Sequence, residues 1–450
     1  MPELPLIAAT SWLLMTLAGL GLPFAMALTG RRPQPHTGYA AVVALALMSG
    51  LLIDHGLGLA TRGLAAQNAA AWAGLLFGAG GLALLWRTWR SQPASASHGR
   101  EYWGAILAAA LIVILTLAIY AAPLMQWDAR SIWFFHGKVI FFDGGLKPSP
   151  FWSNHAYDWS HKDYPDLIPM LSARAAAFAG VWNEFAPKGA LVPMAAASIL
   201  ALLALARGPA FVFLILTSIA TLGPSLWDGY MDGWLALCGT IAALGIAVWA
   251  ETGERAALAL AAAALGVALC LKNEGQLLAL VILPALVAAV AKRHNLRLMD
   301  LAMLAAAAPF VLWLGVKANL GVHGYLESAG VAHRALAVAT DLPELTYRLS
   351  FLAENAAQNT HLFAALAAYL AVGLCVGFPR SSLLFGLSAA LYAGGLIVVY
   401  LGTPLEFAWQ VRTSLDRVVM TPTLLFLGGL STMIPDIISA LRQTASPQVS

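Results

Sequence analysis

Apolar runs of about 20 residues recur along the chain, each separated from the next by a short polar stretch, and that is the length a helix needs to cross a hydrocarbon layer. Hydrocarbon offers no hydrogen-bond partners, so such runs must satisfy their own backbone groups as helices. They fall at 5–28, 37–56, 67–86, 102–124, 189–206, 209–226, 231–250, 255–271, 276–292, 299–318, 360–378, 382–402 and 419–438. The pattern predicts an all-α integral membrane protein of about 13 transmembrane helices. The first run lacks a basic leader and a clear small-residue cleavage site, and reads as a retained span.

Composition sharpens this picture. The 450 residues are 60% hydrophobic and only 10% charged, with a mean hydropathy of +0.76, whereas soluble domains carry about 25% charged residues. A soluble enzyme is excluded, and no nucleic-acid partner is expected. Cys238, Cys270 and Cys375 all fall inside predicted spans at no metal-binding spacing and read as packing residues.

Charge sets the orientation. Alternate loops carry Arg31 and Arg32, then Arg87, Arg90 and Arg100, then Arg207, Arg255, then Lys292, Arg293 and Arg297, then Arg380, and finally Arg442. That side holds 12 basic and 5 acidic residues, against 13 basic and 17 acidic on the other. By the positive-inside rule it is cytoplasmic, with the N-terminus outside and the C-terminus inside. The polar clusters then gather on the outer face.

Three sections follow: an N-terminal three-span extension, 1–95, ending in the polar linker 91–100; residues 101–320, with a long outer loop at 123–188; and residues 321–450, with a second outer loop and three spans. No internal repeat appears, unlike the duplicated halves of many transporters.

The first outer loop carries the densest chemistry. Trp133, Phe134, Ile140, Phe141 and the stretch 167–178 predict amphipathic juxtamembrane helices lying in the interface plane. Asp128 stands where the fourth span leaves the bilayer, flanked by Trp127 and Trp133, a setting able to tune a carboxylate as a general base; pairing with Arg130 explains it equally well. His161 and Asp163, with Asp128, form at most a weak divalent-cation site, and a hydrogen-bonded turn before Pro165 is an equal account. Farther on come Tyr230 and Asp232 at the start of the seventh span, and Lys272 and Glu274 between the eighth and ninth, where the two charges can simply neutralise each other. Arg412 and Arg417 precede the last span. Their planar forks suit a lipid phosphate, and snorkelling at the interface is the alternative.

From residue 102 onward the sequence resembles the GT-C superfamily of membrane glycosyltransferases, which use polyprenyl-phosphate sugars and include protein mannosyltransferases and the aminoarabinose transferase of lipid A. The resemblance rests on Asp128 early in the outer loop and on His161-Lys-Asp-Tyr-Pro165, Gly229-Tyr-Met-Asp232, Lys272-Asn-Glu-Gly275 and Thr413-Ser-Leu-Asp-Arg417. It implies an inverting transfer with Asp128 as catalytic base. Arg417, Arg412 and Lys272 would hold the donor phosphate, and His161, Asp163, Tyr164, Asp232, Glu274 and Tyr230 the acceptor or sugar. No cofactor is required, a divalent cation (Mg or Mn) being optional. The implied partners are a polyprenyl-phosphate-linked sugar, membrane lipids and an acceptor glycan, lipid or protein. The chain departs from the family pattern in its three extra spans and in having no large soluble C-terminal domain. Two other classes fit less of it. An O-antigen ligase or polymerase would depend on Arg334 with His333 or His323, and a lipid or solute transporter would place its charges near the midplane.

Overall fold

The computed structural model describes residues 3–29, 37–90, 98–206, 208–293, 300, 302–322 and 330–445. Arg31, Arg32, Arg207, Arg297, His323 and the linker 91–97 lie outside the described residues.

Among the described residues every regular element is helical. A helix lies at each of the predicted segments, but only nine described helices are both long and apolar enough to cross a membrane. The number is ten if Leu342–Ala357 and Thr360–Val376, bent by 82° at their junction, count as one span. By this measure nine or ten of the 13 expected spans are shown. Helix Arg255–Leu271 has 17 residues, which at 1.5 Å each cover about 25 Å of a hydrocarbon core about 30 Å thick. Helix Met303–Asn319 is likewise short.

Helix Asp232–Thr252 forms the centre, with every residue from Asp232 to Ala250 buried. Its neighbours are rich in alanine and glycine, which lets backbones approach where no hydrophobic effect drives helices together in lipid. A Cβ on Gly275 would stand 2.0 Å from the carbonyl oxygen of Ala268. This contact presses helix Glu274–Arg293 against Arg255–Leu271 and sets the height of the turn between them.

The N-terminal helices share one apolar core with the rest of the chain, from Leu13 to Met433. Asp54, in helix Gly38–Thr61, pairs with Arg174 in helix Leu167–Ala179, and both side chains are buried. This pair also corrects one expectation. Helix Phe134–Asp143 is two-faced as expected, burying Phe134, His136 and Ile140 while Phe142 is exposed. Helix Leu167–Ala179 is instead buried at every residue from Leu167 to Ala176, because its one charge finds its counterion inside the bundle rather than at the interface.

Candidate functional site

Asp128 is held in place from both sides. The helix before it, His98–Ala121, leaves its last carbonyls unsatisfied, as every helix does. Lys188 Nζ donates to two oxygens at this end, those of Tyr120 (3.0 Å) and Ala122 (2.5 Å). After Asp128 comes a π-helical turn, Ala129–Trp133, which buries Ala129, Ser131, Ile132 and Trp133 and leaves Asp128 half-buried at its edge. Single π turns of this kind concentrate at functional sites. Across from it, Gly229 has φ +94°, and a Cβ there would lie 2.7 Å from the Ala129 Cβ. Only glycine lets the 227–232 segment come this close.

The charged side chains of four segments then converge. Arg417 Nη1 donates to Asp128 Oδ2 at 2.6 Å and lies 3.4 Å from Asp232 Oδ2. Lys272 Nζ donates to Asp232 Oδ1 at 2.8 Å and pairs with Glu274 Oε1 at 2.9 Å. The result is an alternating chain: Asp128, Arg417, Asp232, Lys272, Glu274. Local structure favours each position. Asp232 and Glu274 open their helices, where the macrodipole stabilises anions, and Arg417 sits in the last turn of helix Phe407–Val418, where it stabilises cations. The Arg417 guanidinium also lies over the Tyr230 ring, 4.3 Å from its centroid, a contact worth about 0.5–2 kcal/mol.

No protein-family model matches the chain, and no curated protein or solved structure is detectably similar to it. The reading therefore rests on these residues.

One wall of the site is aromatic. Trp133 stacks on Tyr164 (5.3 Å) and Tyr164 on His161 (5.1 Å), with Lys272 Nζ 6.0 Å above the Tyr164 ring. His161 adopts a left-handed backbone, φ +50°, uncommon outside glycine and found disproportionately at functional sites. Burial lowers the basicity of its imidazole, against the opposing pull of Asp163 and Asp128. The Tyr164 hydroxyl is raised well above its usual range by burial and by Glu274. For Lys272, burial works to lower the ammonium, but Asp232 and Glu274 outweigh it and hold the group well above the ordinary lysine value.

Nine of the ten candidate residues thus belong to this neighbourhood, with Asp163 linked through Asn273, whose Nδ2 donates to Asp163 Oδ2 at 2.7 Å. Arg412 is the exception. It is exposed and stacks on Phe351, 5.3 Å from the ring centroid, because it lies five positions before Arg417 and so on another face of the helix. The alternative pairing of Asp128 with Arg130 gives way to Arg417. Among the described residues no three His, Cys, Asp or Glu side chains form a metal-holding group; Asp128 and Asp163 turn to Arg417 and Asn273 instead.

Sequence reasoning gave no role to Asn273 or Asp228. The Asp228 Oδ1 accepts from the Tyr230 amide at 3.0 Å, and burial raises its carboxyl to about 6. A second polar group lies within the outer loop. His136 lies between Asp166 (3.4 Å) and Ser160 (3.3 Å), but all three are fully buried and brace the outer loop.

Proposed function

We propose that the chain is an inverting glycosyltransferase of GT-C type, with 13 spans, that moves a sugar from a polyprenyl-phosphate donor to an envelope glycan, lipid or protein acceptor. Its site faces the periplasm from a bacterial inner membrane, with the C-terminus cytoplasmic. The observation that carries this reading is the alternating chain of charges from Asp128 to Glu274. Charges placed against hydrocarbon cost about 2.5–3.5 kcal/mol each on insertion scales, so five of them gathered at helix ends point to a charged substrate.

In the reaction, Asp128 takes the proton of an acceptor hydroxyl as its oxygen bonds to the anomeric carbon. The bond from that carbon to the phosphate oxygen breaks on the opposite face, and the electron pair leaves with the phosphate. Arg417, with Lys272 behind it, stabilises the charge that grows there. A cavity of about 270 Å³ lies beneath the 227–232 segment, lined by Leu111, Leu115, Ile199, Ile215, Trp227 and Trp234. It offers the first isoprene units of the donor an apolar berth, whose lining residue Trp234 lies two positions from Asp232. No cofactor is required in this reaction.

The ligase reading would rest on Arg334, whose Nε–H donates to the Gly402 carbonyl at 2.7 Å. Mass spectrometry of lipid copurifying with the protein tests the proposal. A bound polyprenyl phosphate is expected; ordinary phospholipid alone, with no binding of added polyprenyl-phosphate sugar, would overturn it.

A further inference from the structure

A second cavity, also of about 270 Å³, opens where helices Leu342–Ala357 and Thr360–Val376 meet at their 82° bend. Its character is the reverse of the apolar one. Thr221, Gln358, Asn359, His361, Asp416 and Thr423 line it, contributing hydroxyls, amides, an imidazole and a carboxylate, with no lysine or arginine in the lining. The Asn359 Oδ1 accepts from the Leu362 amide at 2.9 Å, which fixes the side chain as a helix cap and leaves its NH₂ group to the cavity. The Thr423 hydroxyl spends its proton on the Val419 carbonyl at 2.7 Å and so presents lone pairs only.

One helix links this cavity to the charged site. Asp416 and Arg417 are consecutive on helix Phe407–Val418 and diverge by about 100° around its axis. Arg417 reaches Asp128 and Asp232, while Asp416 lines the cavity. Met420, also in the lining, receives the Ser225 hydroxyl at its sulfur (3.7 Å), which ties the cavity wall to the segment leading into Trp227–Asp232.

We infer that this cavity is a subsite for a neutral, hydroxyl-rich ring, the saccharide portion of the acceptor. The inference rests on the transferase reading and adds the acceptor's chemical class. Saccharide hydroxyls both donate and accept, so they match a lining of fixed acceptors (Asp416, Thr423) and fixed donors (Asn359). A phosphate finds no lysine or arginine and meets the Asp416 carboxylate; an acyl chain offers no partner to the Asp416 carboxylate or the Asn359 NH₂. The volume lies below the roughly 300–1,000 Å³ of drug-sized pockets, which suits one ring rather than a polymer.

Photolabelling tests this without turnover. Diazirine-bearing octyl glycosides of glucose, galactose and mannose are crosslinked to the detergent-solubilised protein, and the adducts are mapped by mass spectrometry. At least one probe is expected to label the peptides around 358–361 and 416–423. Excess of the matching methyl glycoside should displace it and inorganic phosphate should not. Gln358→Ala with His361→Ala, and separately the isosteric Asp416→Asn, should each reduce labelling about fivefold, the equivalent of one lost hydrogen bond, with unchanged thermal unfolding. Labelling confined to lipid-facing helices, displacement by phosphate, or full labelling of both variants would overturn the subsite. Because no donor is present, a failure here with donor binding intact removes only the subsite; absent donor binding removes the transferase reading whatever the labelling shows.

Discussion

Arg417 and Asp128, 289 positions apart in sequence, share a 2.6 Å hydrogen bond. The proposed base is therefore engaged by the residue proposed to grip the donor. On the proposed reading, a phosphate arriving at Arg417 competes with Asp128 for the guanidinium and frees the carboxylate for the acceptor hydroxyl. As the sugar–phosphate bond breaks and charge builds on the leaving oxygen, the hold of Arg417 strengthens, so the interaction is greatest in the transition state.

Asp128→Asn preserves shape but cannot take the proton. Transfer is expected to fall by roughly 100- to 10,000-fold, the range general-base catalysis supplies, while donor binding is retained. Single-turnover transfer beside equilibrium binding of a polyprenyl-phosphate sugar checks this. Wild-type transfer would leave the mechanism without a base.

Arg417→Gln should weaken donor binding, and Arg417→Lys should restore it only in part because an ammonium lacks the bidentate fork. Arg412→Gln is the internal comparison, since Arg412 stacks on Phe351 outside the charged chain. Donor affinity measured for all three separates phosphate recognition from a general loss of positive charge, and equal losses at both arginines would contradict the geometry.

Lys272→Met leaves Glu274 without its cation and Asp232 with Arg417 alone. Breaking a buried pair by removing one partner costs about 3–5 kcal/mol, so the variant should unfold at a clearly lower temperature. Adding Glu274→Gln removes the excess negative charge and should recover part of that loss. No recovery in the double variant would mean the two side chains are energetically independent.

Asp228 supplies a pH test. Its carboxyl is raised from 3.8 to about 6 in the folded state, chiefly by burial. The folded chain therefore binds more protons than the unfolded one between these values, and stability falls as pH rises through the window, the loss being complete above about pH 6. Asp228→Asn should flatten this part of the profile. Thermal unfolding in detergent at pH 4.5 and 7 reads it, and an unchanged difference in the variant would assign the slope to other groups.

The helices were legible because a long apolar run has one solution in hydrocarbon. The number that qualify as spans was not, since Arg255–Leu271 reads as a span in sequence and falls short only when its ends are known. The site residues stood out as ionisable groups at helix ends, which lipid penalises. Their pairing could not be read, because Asp128 has Arg130 two positions away and takes Arg417 instead. Asn273 and Asp228 stood beside the charged residues without a role of their own, and the polar cavity carried no signal: amides and hydroxyls are ordinary at span ends, and only the bend after Leu342–Ala357 gathers those that line it.

The buried pairing of Asp54 with Arg174 bears on how the molecule is made. The aspartate emerges from the ribosome first, and its counterion follows 120 residues later by the numbering of the pair, a delay on the order of ten seconds at about 5–20 residues per second. Throughout that interval helix Gly38–Thr61 carries a charge that lipid disfavours. Its settled position must therefore wait for Leu167–Ala179, so this helix is made before the partner that locks it.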